Sequence, residues 1–178
     1  SQTIYISALF ALGAIVMRGA GCTYNDIVDR DYDGKVERSR NRPLPAGQIS
    51  VKQAWVFLIV QCLIGLSVLL QFNLETIALG VLSLVPIAIY PFMKRFTWWP
   101  QLFLGIAFNW GVLMGYAALT GNISSSAGMV YVAAIFWTVG YDTIYAHQDR
   151  EDDALIGLKS SAIRLGDKTH TALWIIYS

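Results

Sequence analysis

Hydrophobic residues fall along this chain in five long blocks parted by short polar breakers, and the blocks set the predicted elements. Residues 4–28, 54–72, 76–92, 101–120 and 128–147 each read as one helix. Roughly 20 helical residues are what a hydrocarbon core about 30 Å thick requires. The stretches QFNLET, MKRFTWWP and TGNISSS separate the blocks, and TALWIIYS reads as the opening turns of a sixth. Pro86 and Pro91 are expected to bend the third helix, since each removes a backbone donor and crowds the preceding turn. Gly111 and Gly115 predict a small-residue face that another helix approaches closely. The expected fold is an all-α, multi-span transmembrane helical bundle with about five complete spans and the start of a sixth. A single domain over residues 1–178, continuing past both ends of the sequence, is expected.

Composition agrees with this pattern and excludes an ordinary soluble domain, because 55% of the residues are hydrophobic and only 14% charged. Charge is also unevenly placed. Glu75 is the only charged residue between Gln53 and Met93, and residues 101–141 have none. Of the 13 lysines and arginines, all but Arg18 lie in the loops after the first, third and fifth blocks. The positive-inside rule places those loops on the cytoplasmic side of a bacterial inner membrane, or the matrix side of a mitochondrial one. Membrane lipid is the expected surroundings, and no nucleic-acid partner is expected.

Candidate chemistry concentrates on that same side. The stretch RGAGCTYNDIVDRDYDGKVERSRNRPLPAG, residues 18–47, sets Asp26, Asp29, Asp31 and Asp33 beside Arg38, Arg40 and Arg42. At 100° per residue, Arg18, Cys22, Asn25 and Asp29 share one helix face, and Asp33 extends it by a turn. A second acidic cluster lies in YDTIYAHQDREDD, where Asp142, Asp149 and Asp153 are spaced seven and four, a second expected stripe, flanked by Tyr145 and Asp152. Carboxylates gathered in this way repel one another and call for a cation. Oxygen donors without suitably spaced Cys or His favour Mg²⁺, whose remaining ligands are typically water and phosphate oxygens. Arg38, Arg42, Lys94 and Arg95 are candidate donors to such a phosphate. Cys22 and Cys62 are expected to be core packing residues and His147 a polar helix-end residue, while Arg40, Lys52, Arg164 and Lys168 fit a topological role.

These residues resemble the UbiA superfamily of intramembrane prenyltransferases. NDIVDRDYD, residues 25–33, fits its NDxxDxxxD motif, DREDD fits its second, DxxxD-type motif, and Tyr90 with Lys94 in YPFMK fits its YxxxK element. The contexts MRGAGCTYND, NRPLPAG, YPFMKRFTWWPQ, YDTIYAHQD and LIGLKSSAIRLG are similar to the members that act on 4-hydroxybenzoate in ubiquinone synthesis. The resemblance implies a nine-helix bundle in which two Mg²⁺ ions bridge the aspartate motifs to the diphosphate of a polyprenyl donor. Asn25, Asp29, Asp33, Asp149 and Asp153 match the metal motifs, the four aspartates being the catalytic set. Arg38, Arg42, Tyr90, Lys94, Arg95, Asp142 and Tyr145 fall among the substrate-binding positions, and Arg18 is a candidate for the carboxylate of the aromatic acid acceptor.

The implied reaction is ionisation of the allylic C–O bond, attack by the ring carbon ortho to the phenol, and release of pyrophosphate. Tyr24, Trp110, Tyr141 and Tyr145 are candidate aromatic faces for the cation. Two other readings stand beside it. One keeps the enzyme and changes the acceptor to another phenol or quinone precursor; the other is a divalent-cation transporter, which would carry its acids near the bilayer midplane.

Overall fold

The computed structural model describes residues 2–34, 37, 39–155 and 157–177. Among these residues the regular structure is helical: α1 (Gln2–Asp33), α2 (Val51–Leu69), α3 (Leu74–Leu82), α4 (Leu84–Phe96), α5 (Pro100–Phe108), α6 (Gly111–Thr120), α7 (Ser125–Tyr145), α8 (Arg150–Leu155), α9 (Ser161–Leu165) and α10 (Thr169–Tyr177). Among the described residues five stretches are long and apolar enough to cross a membrane, namely Gln2–Asp33, Val51–Leu69, Leu74–Phe96, Pro100–Thr120 and Ser125–Leu155. Large apolar side chains such as Ile15, Phe57, Trp137 and Trp174 stand on the outside. That surface is unfavourable in water and suits hydrocarbon, so the protein is membrane-embedded. The chain divides into two compact units, Ser1–Leu82 with Met114–Asn122, and Ser83–Leu113 with Ile123–Ser178.

In the first unit α1 lies against α2 where small residues leave room. A Cβ on Gly19 would run into Gln61, and one on Gly65 into Met17. Beside that contact Thr23 Oγ1 lies 2.9 Å from the Gly19 carbonyl and 3.4 Å from Gln61 Oε1. A capping box opens α2, with the Gln53 amide donating to Ser50 Oγ and the Ser50 amide donating to Gln53 Oε1 at 2.8 Å. Asn73 opens α3 by accepting from the Thr76 amide at 2.9 Å, and its Nδ2 donates to the Ala117 carbonyl at 2.8 Å. One amide side chain thus starts a helix and satisfies a carbonyl near the end of α6.

In the second unit α5 packs against α7 and α4, and α10 against α7. The third span breaks at Ser83, between α3 and α4. Pro86 has no N–H for the Leu82 carbonyl, so the interruption falls one turn ahead of it, while Pro91 sits inside α4. The fourth span breaks after Phe108, where Asn109 Nδ2 donates to the Gly105 carbonyl at 2.9 Å, the Ala134 carbonyl at 3.1 Å and Thr138 Oγ1 at 2.7 Å.

Two expectations are corrected here. No described atom lies within 4 Å of a Cβ built on Gly111 or Gly115; the close approaches in the second unit are Gly105 on Ile135 and Gly140 on Tyr177. Both glycines lie one turn apart on the regular helix α6, and that face has no described neighbour packed on it. Cys22 and Cys62, expected in the core, are both exposed, each lying at the margin of the α1–α2 contact, three residues from Gly19 and Gly65 respectively.

Candidate active site

Helix α1 carries the first acidic motif without interruption to Asp33, so Asn25, Asp29 and Asp33 follow one another at the helical repeat. Asp29 is 1% exposed and Asp33 8%. The chain then doubles back onto this helix end. Ser39 Oγ donates to the Asp33 carbonyl at 3.1 Å, and Leu44, 5% exposed, plugs the turn. The Ala46 amide bonds the Arg42 carbonyl at 2.9 Å, and Gly47 leaves the turn at φ 71°, a left-handed conformation that costs glycine little.

This fold-back delivers Arg42 to the carboxylates. Its Nη1 donates to Asp26 Oδ1 at 2.8 Å and to Asp33 Oδ2 at 3.0 Å. Arg42 therefore supplies positive charge where the acids crowd. Its Nε and Nη2 edge makes no hydrogen bond to the described residues, which leaves the forked face that binds phosphate. Arg38 lies outside the described residues. Arg40 only meets Glu37, at 3.7 Å on an exposed surface, which contributes little. Arg18 is exposed on α1, about 10 Å before Asn25 along the axis at 1.5 Å per residue, and makes no hydrogen bond or ion pair with the described residues.

The second acidic segment departs from the expected single stripe. Helix α7 stops at Tyr145, a 3₁₀ turn spans Ala146–Asp149, and α8 restarts at Arg150. Because a 3₁₀ residue advances about 120° rather than 100°, Asp149 is rotated away from the line through Asp142, while Asp149 and Asp153 remain one turn apart. Asp142, Asp149 and Asp153 are all half-buried, and Tyr145 is exposed. His147 Nε2 shares a hydrogen bond with Thr169 Oγ1 at 3.1 Å, tying this helix end to the start of α10. In the same unit α4 carries Tyr90 one turn before Lys94, both half-buried. Arg95 lies over the Phe92 ring at 5.3 Å.

Among the described residues no three His, Cys, Asp or Glu side chains converge into a metal-holding group. The donor chemistry still fits Mg²⁺, which takes one or two carboxylates and completes its shell with water and phosphate oxygens. Sequence reasoning missed Ser39, which ties the returning loop to Asp33, and Leu44, buried in that loop. The only available signal was an apolar residue held between two prolines in NRPLPAG.

Comparison with known proteins identifies the family. The model of the UbiA prenyltransferase family matches residues 2–178, and the chain belongs to that family. It is 55% identical to the mitochondrial 4-hydroxybenzoate polyprenyltransferase of Aedes aegypti over 97% of this chain and 39% of that protein. With the Homo sapiens protein of the same description it is 54% identical over 93% of this chain and 45% of the other. The chain thus spans less than half the length of these relatives. A UbiA homolog from Aeropyrum pernix K1, in its apo structure, superposes with TM-score 0.81 at 29% identity, covering 95% of this chain and 65% of that one. A UbiA homolog from Archaeoglobus fulgidus bound to GPP and Mg²⁺ gives TM-score 0.73 at 25% identity, covering 95% and 61%.

Proposed function

We propose that this protein is an integral-membrane, Mg²⁺-dependent polyprenyltransferase. It moves a polyprenyl group from its diphosphate onto 4-hydroxybenzoate, ortho to the hydroxyl, and releases pyrophosphate. The observation that carries the reading is the row Asn25, Asp29 and Asp33 at the end of a membrane-length helix, with the free edge of Arg42 beside it. The named activity of the 4-hydroxybenzoate relatives supports the choice of acceptor, and the GPP and Mg²⁺ of the archaeal homolog support the donor and the metal. The site belongs on the basic, cytoplasmic or matrix, side of a bacterial or mitochondrial inner membrane.

In this reading Asn25, Asp29, Asp33, Asp149 and Asp153 hold Mg²⁺, which supplies Lewis-acid neutralisation of the departing pyrophosphate. Arg42, Arg38, Lys94 and Arg95 bind the diphosphate oxygens, and Tyr90, Asp142 and Tyr145 line the substrate positions. The allylic C–O bond breaks with its electron pair leaving on pyrophosphate. The ring carbon forms the new C–C bond, and the ring proton passes to a base. A hydrocarbon-rich surround keeps water from the cation. All residues 1–178 serve one catalytic domain.

The test is incubation of full-length protein in detergent with Mg²⁺, a polyprenyl diphosphate and a panel of aromatic acceptors. Prenylated 4-hydroxybenzoate with matching pyrophosphate is the expected product. Exclusive use of another phenol would reassign the acceptor, and no pyrophosphate release with any acceptor would refute the enzyme.

Arg18 provides a separate check on the acceptor. A guanidinium within a span is costly without an anion, and its bidentate fork suits the carboxylate of the aromatic acid. Arg18→Gln is expected to raise KM for 4-hydroxybenzoate about tenfold, a loss of about 1.4 kcal/mol, with KM for the prenyl diphosphate little changed. An unchanged acceptor KM in the folded variant would remove Arg18 from the substrate site.

A further inference from the structure

Five residues after α8, 157–161, bond in turn to several other parts of the second unit. Gly157 turns the chain at φ 77°. The Leu158 amide then donates to the Asp153 carbonyl at 2.9 Å, and the next amide, that of Lys159, donates to the Lys94 carbonyl at 2.8 Å. Lys159 Nζ donates to the Phe96 carbonyl at 3.3 Å and lies 5.7 Å from the Trp98 ring centre. The Ser161 amide donates to Gln101 Oε1 at 3.3 Å, and Ser161 Oγ shares a hydrogen bond with Thr143 Oγ1 at 2.7 Å. Thr143 and Ser161 are 0% exposed and Gln101 3%, so these bonds are shielded from solvent. Thr143 Oγ1 also donates to the Val139 carbonyl at 2.6 Å. Its contact with Ser161 is therefore a second bond that ties α7 to the strap.

We infer that Thr143, Ser161 and Gln101 are positioning residues that hold this strap, and through it fix Asp153 and Lys94 relative to one another. The inference rests on the proposed reading in one respect only, that Asp153 and Lys94 serve metal and diphosphate. The strap reaches both through their own backbone carbonyls, at the end of α4 and in α8. Slack in it shifts a metal ligand against a phosphate donor without touching either side chain. Misplacement of about 1 Å is enough to slow an aligned reaction severely.

Thr143→Val keeps the side-chain shape and removes the hydroxyl, whereas Thr143→Ser keeps the hydroxyl. In the full-length protein Thr143→Val is expected to raise KM for the prenyl diphosphate about tenfold, leaving the acceptor KM unchanged, and Thr143→Ser to restore the wild-type value. Hydrogen exchange gives a readout independent of turnover. Amides in residues 92–99 and 150–161 should exchange faster in Thr143→Val, while α1 and α2 keep their protection. Gln101→Met, which removes the acceptor for the Ser161 amide, should act in the same direction and serves if Thr143→Val does not fold. Unchanged exchange in both segments would overturn the strap, as would an equal rise of both KM values. Faster exchange in a protein whose wild type transfers no prenyl group would refute the proposed reaction and leave the strap standing.

Discussion

Replacing Asp29 by alanine is expected to reduce prenyl transfer by about 10³-fold while the protein stays folded. The size follows from what one preorganised electrostatic contact to a developing charge contributes, roughly 10²–10³-fold in rate or somewhat more where a metal is lost with it. The side chain is 1% exposed, at the centre of the row that begins at Asn25 and ends at Asp33. Removing a carboxylate from a crowded acidic helix end relieves repulsion, so the fold should tolerate the change. Asp149→Ala is expected to behave alike. Turnover would be measured across a Mg²⁺ titration, with thermal unfolding in detergent as the control. Wild-type turnover by Asp29→Ala at limiting Mg²⁺ would remove that residue from the metal role.

The second large effect is at Arg42, where one nitrogen serves both Asp26 and Asp33. Arg42→Ala is expected to cost about 2 kcal/mol of stability. That lies between the small value of an exposed pair and the 3–5 kcal/mol for breaking a buried one. Side-chain exposures of 37% for Arg42 and 11% for Asp33 place the interaction between those limits. The same variant should raise KM for the prenyl diphosphate by more than tenfold, because the free Nε and Nη2 edge is lost as well. Arg42→Lys should recover part of the stability and little of the affinity, since an ammonium offers no fork. If Arg42→Ala lost stability alone and kept its diphosphate KM, Arg42 would be a structural counter-ion and nothing more.

Much of this was legible in the sequence because the membrane enforces simple rules. Length and apolarity marked five spans; the apolar pattern ends the first at residue 28, and α1 runs on to Asp33, which brings Asn25, Asp29 and Asp33 onto the stripe that their spacing suggested. The bend between Tyr145 and Arg150 was not legible. YDTIYAHQD holds no breaker, and the turn is accompanied by a tie from His147 to Thr169, 22 residues away. Likewise, the pairing of Arg42 with Asp26 crosses 16 residues of an irregular loop, which no periodicity reveals. Glycine spacing misled at Gly111 and Gly115 because spacing marks a face that a helix could approach, not whether one does, and no described atom comes within 4 Å there. The polar strap around Ser161 was not legible because three of its bonds run through backbone amides, whose partners are not written in side-chain identity.

Helix α1 is 32 residues long, about 48 Å at 1.5 Å per residue. A hydrocarbon layer is about 30 Å thick, and a tilt of 20° shortens the helix's vertical reach by only about 3 Å. Some 15 Å of the helix therefore stands clear of the lipid tails, and its most charged turns, 26–33, are the part for which that is cheapest. Head and stem are one rigid rod, graded from apolar to acidic. An amphiphile with an apolar tail and an anionic head can lie alongside such a rod without lifting its tail into water or carrying its charge into oil. Lateral diffusion in the bilayer, rather than encounter from the aqueous phase, is then the natural route of delivery for such a molecule.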